Sequence, residues 1–161
     1  MMKNNFSIFF IILFLFFTNS CGFKPMLVGS DYDFSIKVES RSGNDQINTK
    51  IEDKLRLLDG IKKTFTVILD SKETKNILSR DSKGDPSILE IVINLNYKIK
   101  DNGKILVDKR STQKSNYNNI SDKFELKKFE EILIDNLIEN LVSDIVSSAS
   151  NLILNPMIND N

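Results

Sequence analysis

The stretch Leu89–Gly103, which reads LEIVINLNYKIKDNG, has the clearest pattern in the chain. Apolar residues occupy every second position as far as Ile99, and mostly polar residues lie between them. This period of two predicts a β-strand with one buried face and one wet face. Asn102-Gly103 favours the type I′ turn that matches strand twist. We therefore expect the chain to return as a further strand from Ile105 to about residue 115.

Two shorter runs upstream alternate in the same way and predict two more strands. Their inward positions are Phe34, Ile36 and Val38 in the first run and Phe65, Val67 and Leu69 in the second. The polar stretch 70–87 follows the second run and contains the turn signal Gly84-Asp85-Pro86. We interpret it as a long, partly stranded hairpin connection.

Two segments show the spacing of amphipathic helices. In the first, Asn44 or Asp45 can cap the helix, and Gly60 is placed just past its end, where a positive φ is cheap. Its apolar stripe consists of Ile47, Ile51, Leu55 and Leu58. In the second, Asp122 and Glu125 form a plausible capping pair. Its wider stripe consists of Leu126, Phe129, Leu133, Leu137, Leu141 and Ile145, flanked by Ile132, Ile134, Ile138 and Val142.

These elements follow one another in the order β-α-β-β-β-α. A four-stranded mixed sheet with both helices packed on one face would bury all the apolar stripes together. The sequence therefore predicts an α+β fold, arranged as a two-layer sandwich.

The N-terminal segment has the features of a secretory signal. Lys3 is followed by the apolar run Ile8–Phe17, and Ser20 precedes Cys21, the only cysteine. The run is short for a membrane span, which needs roughly 20 apolar residues. We expect cleavage before Cys21 and lipid attachment to its sulfur, although Thr18 stands where a lipobox usually carries leucine. An ordinary cleavage site, or an uncleaved anchor, is the alternative.

The expected organisation has four parts. Residues 1–20 form a lipoprotein signal peptide and residues 21–33 a lipidated linker. Residues 34–155 form one α/β domain, and residues 156–161 a polar tail. Gly22 follows the cysteine where many inner-membrane lipoproteins carry aspartate, which favours sorting to the outer membrane.

Composition argues against several functional classes. The 22 basic and 22 acidic residues balance, so no overall basic field exists to attract nucleic acid. Histidine is absent and cysteine occurs once, so we expect neither a zinc-type metal site nor a Ser-His-Asp or Cys-His nucleophile. The six glycines are scattered and form no phosphate-binding loop. We expect no enzyme activity and no cofactor.

Short motifs at both ends of the chain resemble the LptE family, lipoprotein subunits of the lipopolysaccharide translocon in the Gram-negative outer membrane. Cys21–Met26 reads CGFKPM and is similar to the Cys-Gly-Phe-x-Pro-Leu start of alphaproteobacterial members. The C-terminal half is similar in element order. Its matching motifs are LNYKI at 95–99, NGK at 102–104, SNYN at 115–118 and the acidic-capped helix from Ser121.

The resemblance implies a non-enzymatic role. Members of the family plug and help assemble the LptD β-barrel, and they contact lipopolysaccharide during its insertion into the outer leaflet. It therefore implies an LptD-like outer-membrane barrel and lipopolysaccharide as partners. It also implies attachment to the outer membrane through acylated Cys21, with the domain on the periplasmic side and within the barrel lumen.

Lipopolysaccharide carries phosphates and carboxylates, so basic side chains on loops or strand ends are the expected contacts. The candidates are Arg80, Lys83, Lys109 and Arg110. Each of them could equally face water or pair with a nearby acid. A rival function from another class is a periplasmic ligand-binding or ABC-transport auxiliary lipoprotein, which predicts a closed apolar pocket and an inner-membrane partner.

Overall fold

The computed structural model describes residues 32–154, so the predicted signal peptide, Cys21, most of the predicted linker and the predicted polar tail lie outside the described residues. The six elements occur in the predicted order. They are β1 (Phe34–Gly43), α1 (Asp45–Leu55), β2 (Lys63–Arg80), β3 (Pro86–Asp101), β4 (Lys104–Asn118) and α2 (Lys123–Leu154).

The four strands form one mixed sheet in the order β1-β2-β3-β4. β1 and β2 are parallel because α1 lies between them in the chain, whereas the other two pairs are antiparallel. Both helices contribute to one core with the inward residues of the sheet. The predicted α+β two-layer sandwich is confirmed.

β3 is the central element of this core. Ile91, Ile93, Leu95, Tyr97 and Ile99 are buried, while the residues that alternate with them lie on the opposite face of the sheet. Asn102 and Gly103 have φ values of 48° and 83°, the two positive angles that a type I′ turn needs. The alternating pattern and the Asn-Gly turn therefore have the predicted structures.

β2 is longer than the sequence suggested. Its partners run from Thr66↔Lys100 to Arg80↔Pro86, so most of the stretch read as a connection belongs to the sheet. The true turn covers only Asp81–Asp85, where the backbone N–H of Asp81 donates to the oxygen of Asp85 at 2.8 Å. Backbone pairing with β3 extends the strand where side-chain alternation is weak.

The pairing of β1 with β2 is interrupted by a bulge. The register shifts between Val38 and Ser40, so Glu39 is the extra residue. Its carboxylate accepts from Lys100 Nζ at 2.7 Å and from Thr66 Oγ1 at 3.2 Å. The hydrogen bond from Lys100 is the main cause that lowers the pKa of Glu39.

α1 begins as predicted, because the Asn44 side chain accepts from the backbone N–H of Ile47 at 3.1 Å. The helix ends at Leu55, and Leu58 is buried from the loop that follows. The expectation for Gly60 is wrong, since its φ is not positive. Gly60 is needed for close packing instead, because a Cβ there would lie 2.1 Å from the backbone nitrogen of Phe34.

α2 is capped by Asp122, whose carboxylate accepts from the backbone N–H groups of Phe124 and Glu125 at 2.9 and 3.1 Å. The predicted stripe is buried from Leu137 onward, but Phe129 and Ile132 are 46% and 52% exposed. Lys50 and Lys54 of α1 form ion pairs with Asp135 and Glu139, which lie further along α2 than these two exposed residues.

By length and composition α2 could also cross a membrane. A core helix of a soluble domain passes the same test, and the inward side chains of α2 are buried against the sheet. This packing accounts for the buried apolar side chains of α2, whereas Phe124, Phe129 and Ile132 are exposed.

Candidate functional site

The structure does not bring the four basic residues predicted to contact lipopolysaccharide into one cluster. Arg80 pairs with Pro86 at the tip of the β2–β3 hairpin, whereas Lys109 pairs with Tyr97. The segment of β3 from Pro86 to Tyr97 spans about 36 Å. Arg80 and Lys83 therefore lie at one location on the sheet, and Lys109 and Arg110 lie at another.

At the hairpin tip, Arg80 is engaged by its own turn. Its Nη1 donates to the carbonyl oxygen of Gly84 at 2.8 Å. The backbone N–H of Lys83 donates to Asp81 Oδ1 at 2.8 Å, and the side chain of Lys83 is exposed. The contacts of Arg80 and Lys83 thus stabilise the turn, with the lysine head in solvent.

Lys109 and Arg110 lie on opposite faces of the sheet because successive strand residues alternate. Lys109 is on the helix side, where its Nζ lies 3.4 Å from Ser148 Oγ. Arg110 is on the face that no helix covers, where its Nη2 donates to Asn94 Oδ1 at 2.9 Å. Arg110 therefore belongs to the open sheet face, which we term the outer face, whereas Lys109 contacts the helix side and also borders one depression of the outer face.

The outer face contains two adjoining depressions of about 400 Å³ each. Both are lined by Asp70, Asn96 and Arg110. A row of hydrogen bonds crosses the sheet here, from Ser42 Oγ to Asp70 Oδ1 at 2.9 Å and from Asn96 Nδ2 to Asp70 Oδ2 at 3.2 Å. The row holds the floor of the depressions in a fixed polar arrangement.

One of these depressions carries excess positive charge. Its charged lining residues are Asp70, Lys72 and Arg110. Among the described residues, neither Lys72 nor Arg110 forms an ion pair with a carboxylate, whereas Lys98 on the same face pairs with Asp108 at 3.0 Å. A phosphate or carboxylate would find two cationic side chains at this depression.

Lys72 is not among the candidates that the sequence predicts, because the polar stretch 70–87 is typical of a connection between strands. Its outward position follows from the register Lys72↔Asn94 in β2. The available signal was the alternation of Asp70, Lys72 and Thr74 with the inward positions Ser71 and Glu73.

A polar network joins strands β3 and β4 to α2. The Tyr97 hydroxyl lies 2.9 Å from Ser148 Oγ and donates to the backbone oxygen of Asp144 at 3.3 Å. Ser111 Oγ donates to the Asp144 carboxylate. Burial raises the pKa of Tyr97. These contacts hold the register of helix and sheet and do not resemble a catalytic arrangement.

A separate depression, which we term the interhelix groove, lies where α1 begins beside α2. Its volume is about 440 Å³. The groove is a surface cleft, and its lining includes charged side chains. It therefore differs from the closed apolar pocket that the ligand-binding alternative predicts. The lining residues are Asp45, Gln46, Ile47, Thr49, Lys50, Glu73, Glu131 and Ile134. Within residues 32–154 no group of three or more Cys, Asp or Glu side chains is arranged to hold a metal ion.

No protein-family model matches the chain. Comparison with curated protein sequences likewise gives no significant match. Similarity is found at the level of solved structures.

Two of these structures have the same fold over nearly their whole length. The rare lipoprotein B of Shewanella oneidensis aligns with a TM-score of 0.57 and 14% identity, over 76% of this chain and 96% of that one. A lipoprotein B of Nitrosomonas europaea, solved by NMR, aligns with a TM-score of 0.56 and 15% identity, over 84% of this chain and 97% of that one. At these identities the likeness establishes a shared fold.

Proposed function

We propose that this protein is an outer-membrane lipoprotein that plugs and helps assemble an LptD-like β-barrel and assists the insertion of lipopolysaccharide. The observation that carries the proposal is the outer face, a sheet surface left uncovered by helices and fixed by polar hydrogen bonds. The shared fold with proteins described as bacterial lipoproteins supports it, as do the CGFKPM start and the SNYN motif.

A polar, uncovered sheet face suits the water-filled interior of a large barrel. An interface there would be large and polar rather than a greasy patch. The outer face has this character, because hydrogen-bonded rows such as Ser42–Asp70–Asn96 cover its middle. Such rows can exchange water for polar groups of a barrel wall at little cost.

Lipopolysaccharide phosphates would bind at the depression that contains Lys72 and Arg110. Arginine presents a planar fork that suits phosphate oxygens, and lysine adds a second charge. Arg80 and Lys83 at the hairpin tip would make a separate contact about 26–33 Å along the sheet, because Arg80 pairs with Pro86 whereas Lys72 and Arg110 pair with Asn94 and Asn96. Lys109 is directed to Ser148 on the helix side and contributes least.

Acylation of Cys21 would supply the membrane anchor. Each buried CH₂ group contributes about 0.8 kcal/mol, and stable attachment needs more than one chain. The linker from Cys21 to the first described residue spans at most about 36 Å. The domain would thus stay within reach of the membrane surface while bound to a barrel.

Two measurements on the full-length protein test this proposal. Growth with a labelled fatty acid should label the wild-type protein and leave Cys21→Ser unlabelled; an unlabelled wild type would contradict the lipoprotein assignment. In detergent, Lys72→Ala/Arg110→Ala should bind lipopolysaccharide about ten-fold more weakly than wild type, while Lys62→Ala, which removes an exposed lysine paired with Asp33, should not. Equal binding by both variants would exclude the outer-face depression as the lipopolysaccharide site.

A further inference from the structure

The interhelix groove combines an apolar floor with acidic walls. Ile47 of α1 and Ile134 of α2 form apolar parts of its lining. Glu73 on β2 is half-buried in one wall, and Glu131 on α2 is exposed in the other. The groove lies beside the first turns of α1.

The carboxylates of this groove differ from their neighbours on α2. Glu130 pairs with Lys75 at 2.6 Å, and Glu139 pairs with Lys54 at 3.0 Å. Among the described residues, Glu131 forms neither an ion pair nor a side-chain hydrogen bond. Glu73 accepts one hydrogen bond, from the neutral amide of Asn44 at 3.3 Å. Both carboxylates therefore lack a cationic partner.

The other charges of the groove are already engaged. Lys50 lies 2.5 Å from Asp135, which lies outside the lining, and Asp45 lies 3.4 Å from Arg41 at the rim. Lys127 and Lys128 stand one helical turn before Glu131, and neither forms an ion pair with it. Two negative charges thus remain unpaired at the groove, and the partial burial of Glu73 strengthens the attraction of its carboxylate for a cation.

We propose that the interhelix groove receives a lysine or arginine side chain of a partner protein. The aliphatic stem would pack on Ile134, which is partly exposed whereas Ile47 is only 1% exposed, and the cationic head would lie near Glu73 and Glu131. Long basic side chains bury their stems on apolar surface in this way while their charge stays near polar groups. A volume of about 440 Å³ holds such a side chain together with its neighbours in an extended segment.

This inference rests on the proposed function, because it requires that a protein partner surrounds the domain. It assigns the two surfaces of the domain to different chemistry. The outer face offers Lys72 and Arg110 to anions, whereas the interhelix groove would repel a phosphorylated lipid. The group that binds in the groove is therefore a basic side chain of a protein and not lipopolysaccharide.

The first test is recovery of the partner barrel with the full-length chain in detergent extracts. Glu73→Gln/Glu131→Gln keeps the size and hydrogen-bonding capacity of both side chains while removing their charge. We expect about ten-fold less barrel than with wild type. Asp59→Asn, which neutralises an exposed acid outside the groove, should leave the yield unchanged. Equal yields for wild type and the double variant would overturn the inference.

The second test is independent of the stability of these variants. A photo-crosslinking amino acid at Gln46, which lines the groove, should form an adduct whose barrel peptide contains a lysine or arginine. An adduct peptide without a basic residue, or no adduct while the barrel is recovered, would overturn the inference. Absence of any barrel with the wild-type chain would instead contradict the proposed function.

Discussion

Tyr117 joins the edge strand β4 to α2, because its hydroxyl donates to Glu130 Oε1 at 2.5 Å. Lys75 on β2 donates to the other oxygen of the same carboxylate at 2.6 Å. Burial is the main cause that raises the pKa of Tyr117, and the neighbouring Glu130 charge adds to it. One carboxylate near the start of α2 therefore connects the helix to two strands, β2 and β4.

Replacing Tyr117 by phenylalanine should lower the free energy of unfolding by about 1.5–3 kcal/mol, the usual contribution of a hydrogen bond to a charged group. Denaturant unfolding at neutral pH measures this change. Asn116→Ala is the matched control, since Asn116 is the exposed neighbour on the other face, and it should change stability by less than about 0.5 kcal/mol. Equal effects of the two substitutions would contradict the role of this hydrogen bond.

Stability should also depend on pH through Glu130. Burial opposes its ionisation, but the hydrogen bonds from Lys75 and Tyr117 outweigh burial and hold its pKa below the usual range. The stabilisation is therefore fully present above the unfolded-state pKa of about 4.3 and is lost as pH falls through the lower folded-state pKa. Unfolding measured between neutral pH and pH 3 should show this loss. Glu130→Gln should show a smaller loss; an unchanged profile would argue against the shift.

Two glycines with similar backbone angles should respond differently to alanine. Gly43 and Gly84 have φ values of 84° and 88°, but a Cβ at Gly43 would lie 1.9 Å from the backbone oxygen of Ser71, whereas a Cβ at Gly84 meets nothing within 4 Å. Gly84→Ala should cost about 1–2 kcal/mol, the penalty of the left-handed conformation alone. Gly43→Ala should cost more, because β2 must move. Thermal unfolding of both variants measures the difference in stability. A Gly43→Ala protein as stable as the Gly84→Ala protein would refute the close approach of Gly43 to Ser71.

The two sides of α2 should differ in their sensitivity to truncation. Ile145 is fully buried in the core, so Ile145→Ala should destabilise the protein by about 2–5 kcal/mol. Ile132 is 52% exposed, and Ile132→Ala should cost about 1 kcal/mol or less. Denaturant midpoints of the two variants measure the difference. A large loss for Ile132→Ala would mean that this residue is covered in the free protein.

Element order and the core of this fold could be predicted from the sequence because alternation in β3 and the helical stripes are strong local signals. The extent of β2 could not, because its outer half is mostly polar, is largely exposed on both faces and is held by pairing with β3. The exposure of Phe129 and Ile132 is a tertiary property, which the helical stripe alone does not predict.

The candidate site was predictable only in part. Arg110 was identified from its charge, but its separation from Lys109 depends on strand alternation in a polar strand. Lys72 joins Arg110 only through the pairing of β2 with β3 and β4, which brings residues distant in sequence to one depression. The interhelix groove depends on the parallel packing of α1 and α2, a tertiary relationship that local sequence patterns did not reveal.

The most direct test of the barrel-plug function is the identity of the protein that co-purifies with the full-length chain from detergent-extracted membranes. We predict a large outer-membrane β-barrel in a stoichiometric complex. Recovery of a free monomer alone, or of an inner-membrane transport component in place of the barrel, would contradict it.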